Sequence, residues 1–152
     1  MDVLVEEIVA ADTHDLRRRV LRDGTPSSDV VFAQDDLAGT IHLGVRRDGR
    51  LVGVSTWSRD QWRGEPAVRL RGMAVEQSLQ GSGVGAALVQ EGLARAWSTG
   101  VPVVWAAARD SALGFYTRLG FSADAEGYID QTTALPHHHI WIARLDTPDQ
   151  SV

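Results

Sequence analysis

The chain has 152 residues, 43% of them hydrophobic, and carries 20 acidic against 15 basic side chains for a formal net charge of -5. That length suits one globular domain with a sizeable core, expected over residues 1–146 with a C-terminal tail at 147–152. The absence of cysteine excludes disulfides, a thiolate nucleophile and a zinc–thiolate site, and the acidic balance disfavours non-specific nucleic-acid binding.

Residues 3–9 suit a short strand, after which Asp12 or Thr13 can cap a helix whose Leu16, Val20 and Leu21 share one face until Gly24 and Pro26 stop it. TPSSD reads as loop. Residues 41–47 and 50–57 flank Asp48-Gly49, a turn pair that tolerates positive φ, and together they predict an antiparallel hairpin. The polar RDQWRGEP is read as a connector. Residues 67–75 (AVRLRGMAV) suit a strand that places Val68, Leu70, Gly72 and Ala74 on one face and Arg69, Arg71, Met73 and Val75 on the other.

Beyond it, positions 85, 88, 89, 92, 93, 96 and 97 keep the spacing of a buried helical stripe as far as Gly100. The continuous apolar run at 101–108 predicts a central strand buried on both faces. A short helix from Ser111 to Gly120 and a last strand within HHHIWIARL complete the order. The fold class expected is mixed α/β, with helices on both faces of one sheet and no internal repeat. No basic apolar leader and no run of about 18 apolar residues occurs, so a soluble, cytoplasmic protein without membrane contact is expected.

The stretch EQSLQGSGVGAALV (76–89) places Gly81, Gly83 and Gly85 ahead of the second helix. Amides at a helix start are unpaired, the helix dipole adds positive potential, and glycines let a phosphate approach several amides at once. A nucleotide-like diphosphate ligand is the functional reading, and tight helix-to-sheet packing is the alternative. A Walker loop fails, because Ala86-Ala87 follow the last glycine. The dinucleotide fingerprint fits better, through Gly81, Gly83 and Ala86 with Asp110 after the next strand, and would imply an NAD- or NADP-dependent oxidoreductase. Against it, EQSLQ separates the strand from Gly81, and too little chain follows Asp110 for the rest of a doubly wound sheet.

QGSGVGAALV resembles the Q/R-x-x-G-x-G/A signature of the GNAT superfamily of N-acetyltransferases through Gln80, Gly83 and Gly85. LRGMAV stands where that family has its splayed central strand. RDSALGFYTRLGF is similar to the family's second motif, N-x-x-A-x-x-[FL]-Y-x-x-x-G-F, through Ala112, Phe115, Tyr116, Gly120 and Phe121, with Arg109 where the family often has Asn. LRRRVLRDG and Pro136-His137 with Ile140 look like a poorly characterised branch of small proteins. The resemblance covers nearly the whole chain and implies a largely antiparallel sheet with a splayed central strand.

It also implies a function: acetyl-CoA-dependent acylation of a primary amine, on a small molecule or peptide, by direct attack on the thioester. No metal and no protein nucleophile are then needed. The implied cofactor-binding set is Gln80, Gly81, Ser82, Gly83, Val84, Gly85 and Ala86 for the pyrophosphate and the backbone of Met73, Ala74 and Val75 for pantetheine, together with Arg109 and Phe115. Tyr116 matches the general acid for the departing thiolate, its alternative being a core tyrosine. His137 is the candidate base, because imidazole titrates near neutral pH; Glu126, Glu76 or a water chain are alternatives. On a strand His137 and His139 face one way and His138 the other. Arg69 and Arg71 could receive an acceptor carboxylate or cap a sheet face. A non-catalytic CoA-binding module remains a further option, and so does a homodimer.

Overall fold

The structure, a computed structural model, describes residues 3–146, so the expected tail at 147–152 lies outside the described residues. Seven strands form one sheet in the order β1-β2-β3-β4-β5-β7-β6, with β1 Val5–Ile8, β2 Ile41–Arg47, β3 Arg50–Trp62, β4 Glu65–Val75, β5 Val103–Arg109, β6 Ser122–Ile129 and β7 Pro136–Ala143. Only β4 and β5 run parallel, and every other neighbouring pair is antiparallel. A doubly wound dinucleotide fold needs a mostly parallel sheet, so the oxidoreductase reading finds no support.

The Asp48-Gly49 hairpin forms as expected, with φ of 53° and 77° at the two turn residues. The segment read as a polar connector is instead a second hairpin. β3 continues to Trp62 and β4 begins at Glu65, around Arg63 and Gly64 at φ 49° and 83°. Its polar side chains mislead because this end of the ribbon projects into solvent, where alternation carries no apolar signal. The edge strand β6 was also not expected. SADAEGYI is exposed along most of its length and lacks the buried half of an amphipathic pattern.

The predicted facing of β4 holds only in its first half. Val54 pairs with Ala74 but Thr56 pairs with Arg71, so β4 carries one extra residue at Gly72-Met73, and Gly72 takes φ 62°. Such a bulge reverses the alternation beyond it. Val68 and Leu70 therefore share their core with Met73 and Val75, while Ala74 turns to the opposite face beside Ile8, Leu16 and Val54.

Helices cover both faces, as expected. The segment α1 (residues 10–21) is a 3-10 turn, Ala10–Thr13, running into one α turn, His14–Leu16, and a π turn, Arg17–Leu21; it lies on the Ala74 face. On the other face lie α2, Val84–Ser98, and α3, Leu113–Arg118. The expected stripe of α2 is buried at Leu88, Val89, Gly92, Leu93 and Ala96. Gly92 has a specific reason to be glycine: a Cβ there would stand 1.8 Å from the indole of the fully packed Trp57. No helix among the described residues is long and apolar enough to cross a membrane.

Candidate active site

The parallel ladder between β4 and β5 is short, running from the Ala67–Val103 pair to the Leu70–Ala106 pair. Past that point both strands continue, β4 bonded only to β3 and β5 only to β7, so the sheet is split in its middle from Arg71 and Ala107 onward. The bulge at Gly72 bends β4 away from β5 and supplies the opening. A cavity of about 430 Å³ occupies the split. Its walls include Met73, Arg109, Tyr116 and His137 from the expected site set, together with Arg69 and Arg71.

The glycine loop stands outside this cavity wall, at the start of α2. Gly83 is the N-cap at φ 96°, and Gly81 takes φ 86°. A Cβ at either would meet nothing within 4 Å, so the left-handed backbone and the open space beside it account for these two glycines. Gly85 differs: a Cβ there would lie 3.1 Å from the Phe115 ring and 3.6 Å from Met73 Cε, so its lack of a side chain serves packing. Open backbone, the condition for the expected approach of a ligand, is thus met at two of the three.

The Ser82 amide donates to the Leu79 carbonyl and the Ala87 amide to that of Gly83. Among the described residues the amides of Gly81, Gly83, Val84, Gly85 and Ala86 find no protein acceptor. Five free donors converge at a helix N-terminus, which is chemistry suited to a phosphate. Gln80 turns its side chain inward, its Nε2 donating to the Val75 carbonyl at 3.2 Å and tying the loop to the end of β4.

Tyr116, 6% exposed, is held by edge-on contacts with Phe115 and Phe121. Burial alone pushes its phenol above the ordinary value, and the hydroxyl has no hydrogen-bond partner among the described residues. His137, 7% exposed, sits on β7 opposite Arg109. Its Nδ1–H donates to the Leu135 carbonyl at 2.9 Å, which leaves Nε2 as an acceptor. The three histidines alternate as expected. His139 packs among Trp62, Trp105 and Tyr128, where burial first of all lowers its pKa, and His138 faces the other way onto Asp110 at 2.7 Å. Asp110 is therefore engaged by a histidine.

The remaining candidates lie as follows in the fold. Glu76 is bound by Arg19 at 2.7 Å and Glu126 is exposed on β6, and neither lines the cavity. Arg109 donates to the Leu21 carbonyl at the end of α1, bridging β5 to that helix in the cavity wall. Ala74 and Val75 offer the cleft backbone only, their side chains belonging to the two cores.

Residues 29–34 and 130–133 contribute cavity wall that the sequence did not announce. The first segment is pinned by Arg17, whose guanidinium is fully buried. It makes a bidentate pair with Asp35 at 2.7 and 2.9 Å, donates to the Val30 carbonyl and to Thr56, and lies 3.8 Å over the Phe32 ring. Thr56 in turn contacts His42 Nδ1 at 2.8 Å, and His42 Nε2 reaches the Asp35 carbonyl. Burial opposes the charge on Asp35, but Arg17 and the Phe32 amide hold its pKa below the usual carboxylate value.

A largely antiparallel sheet split beside one parallel pair, next to a glycine-started helix, is the fold of N-acyltransferases. An acyl-CoA N-acyltransferase from Pseudomonas aeruginosa superposes with a TM-score of 0.74 at 24% identity, covering 92% of this chain and 99% of its own. Escherichia coli ElaA gives a TM-score of 0.76 at 18% identity with the same coverage. In sequence, the uncharacterized N-acetyltransferase YitI of Bacillus subtilis (strain 168) is 30% identical over 130 residues, 82% of this chain and 85% of that protein. The family model for the Acetyltransferase (GNAT) family matches residues 8–121. The chain belongs to the GNAT acetyltransferase family and is an enzyme of acyl transfer from CoA.

Proposed function

We propose that this enzyme moves an acetyl group from acetyl-CoA to a primary amine on a small molecule or peptide, by direct attack within a single domain spanning residues 1–146. The observation that carries this reading is the split between β4 and β5, with Tyr116 and His137 in the wall of one cavity. The free amides from Gly81 to Ala86 suit the pyrophosphate, and Ser82 and Gln80 fold the loop that presents them. The unpaired edge of β4 from Met73 to Val75 suits the amides of the pantetheine arm, which would lie in the gap like an added strand.

Acetyl-CoA supplies the activated thioester, and the protein supplies position and proton handling. His137 Nε2, with Nδ1–H fixed on Leu135, is suited to take the proton that the amine loses. Tyr116 is kept neutral by burial, and its unpartnered hydroxyl is suited to donate to the thiolate sulfur as it departs. The backbone amide near Val75 is the candidate donor to the thioester carbonyl.

Thermal unfolding with acetyl-CoA tests the reading. At about 100 times its dissociation constant a site-specific ligand adds ~2.7 kcal/mol, whereas no shift with any acyl-CoA would refute it. A thiol-release assay across an amine panel then separates an enzyme that turns over from a module that only binds.

A further inference from the structure

The cavity wall bears four arginines (Arg22, Arg69, Arg71, Arg109) against two aspartates (Asp29, Asp130), in a chain of net charge -5. Two of the four are already engaged. Arg22 donates to the Asp29 carbonyl and Arg109 to that of Leu21. Arg69 and Arg71 remain, two residues apart on β4. Among the described residues Arg69 Nε and Arg71 Nη1 are buried without any hydrogen-bond acceptor, and the one ion pair at either is Arg71 with Asp60, at 3.7 Å. Leaving charged donors buried and unpaired is costly unless a ligand completes them.

Both arginines lie on the face of the sheet away from the glycine loop. Arg69 lies 4.3 Å over the Trp105 ring, in the aromatic cluster opposite α2. Arg71 pairs with Thr56, whose hydroxyl belongs to the Arg17 network. A pyrophosphate at the start of α2 would be on the other side of the sheet, so these guanidinium groups serve the acceptor's side of the split. Burial, and then the neighbouring Arg69 charge, push the Arg71 pKa down to about 10, against the opposing pull of Asp60 and Asp35. The stacking of Arg69 on Trp105 holds one planar fork in place, a geometry matched to a carboxylate. The cavity of about 430 Å³ is near the low end of small-molecule sites, which favours a small acceptor over a folded protein.

We infer that Arg69 and Arg71 form a carboxylate subsite, so that the acceptor is a small molecule carrying its amine and a carboxylate together, of the amino-acid type. The inference rests on the acyltransferase reading above. Acetyl-CoA binding is measured first by calorimetry on the wild type and on Arg69→Gln and Arg71→Gln. Thiol release is then measured with amino acids, their carboxamides, the matching decarboxylated amines and aminophosphonates. Turnover should favour the amino acids over their carboxamides and amines by roughly 10- to 100-fold in kcat/KM. Each Gln variant should raise KM for the amino acids by a similar factor and narrow that preference, while leaving acetyl-CoA affinity and Tm unchanged, and Arg71→Lys should recover part of the loss.

If acetyl-CoA binds but carboxamides or plain amines are served as well as amino acids, or no amino acid is acylated, the subsite is refuted and the acyltransferase reading stands. Faster turnover of aminophosphonates than of amino acids would overturn the carboxylate assignment. A Gln variant that slows every acceptor equally, or melts earlier, would return that arginine to a structural role. Failure to bind any acyl-CoA refutes the underlying reading instead, and that outcome is seen before any acceptor is added.

Discussion

Tyr116 illustrates how one side chain can be read twice. It is buried like a core residue, yet its hydroxyl has no partner among the described residues and its ring borders the cavity. Tyr116→Phe should therefore leave Tm nearly unchanged, since no hydrogen bond is lost. If the phenol assists the leaving thiolate, kcat should fall by roughly 10²- to 10⁴-fold, and less with an acyl donor whose thiol is more acidic. An equal loss with both donors, or an unchanged kcat, would count against the assignment. Because burial raises its pKa above the ordinary value of about 10, the phenol stays protonated throughout the range below that pH. The ratio of wild-type to Phe-variant kcat should then be constant from about pH 8 to 10, and a ratio collapsing toward one would show that Tyr116 ionises there.

Tyr116 was legible because a motif surrounds it. Arg17 was not: the i, i+3, i+4 spacing puts it on the face of Val20 and Leu21, but it stands in an arginine run and a charged side chain is not expected inside without a partner. Its acceptors, Val30, Asp35 and Thr56, are 13, 18 and 39 residues away, and no local periodicity can signal a contact at that separation.

Among the elements, the glycine loop opens the second helix as expected, but its three glycines do not share one reason. Gly81 and Gly83 need positive φ and border open space, whereas Gly85 makes room for Phe115, and both uses look alike in sequence. Substitutions at Gly83 should separate strain from charge. Gly83→Ala carries only the penalty of a side chain at φ 96°, about 1 kcal/mol of stability, and should retain much of the acetyl-CoA affinity. Gly83→Asp adds a negative charge where the free amides converge, and calorimetry should find binding abolished. Equal affinity in the two variants would contradict a phosphate at this helix start. The strand ahead of the loop shows a similar limit. Its length and composition were legible, but one inserted residue at the bulge exchanged the faces of Met73, Ala74 and Val75, and a period of two cannot foretell a slip within it.

Across the whole molecule, the long segment between α1 and β2 is held over the cleft by Arg17 and Asp35. Removing one partner of a buried pair strands the other, so Asp35→Asn should cost about 3–5 kcal/mol at pH 7, read by urea unfolding. The folded-state pKa of Asp35 is lowered, so its contribution is present above the unfolded value of about 3.9 and disappears as the pH falls through the folded value. The Asn variant should accordingly lose less stability than wild type on acidification below about pH 4. A parallel loss in both would place the acid sensitivity elsewhere. A second prediction concerns the seat of α2 on the sheet. Alanine normally stabilises a helix relative to glycine by about 1 kcal/mol, but a Cβ at Gly92 would collide with Trp57, and overpacking costs about 1–3 kcal/mol. Gly92→Ala should therefore lower Tm, and a raised Tm would mean that the indole can move aside.

The split between β4 and β5 has a consequence for solubility and for order. Unpaired strand edges are normally a hazard at the rim of a sheet, where a neighbouring chain can add itself. Here two such edges, 71–75 and 107–109, face each other inside the molecule, beneath Tyr116 on one side and the Arg17-anchored segment on the other. A strand of another chain would have to pass both covers to pair with them. The molecule thus keeps an aggregation-prone surface in its interior, along the seam proposed for the pantetheine arm. If the arm lies there as proposed, the two half-sheets, joined otherwise by four residue pairs, gain a shared ladder. Amide hydrogen exchange should then slow on both sides of the seam together.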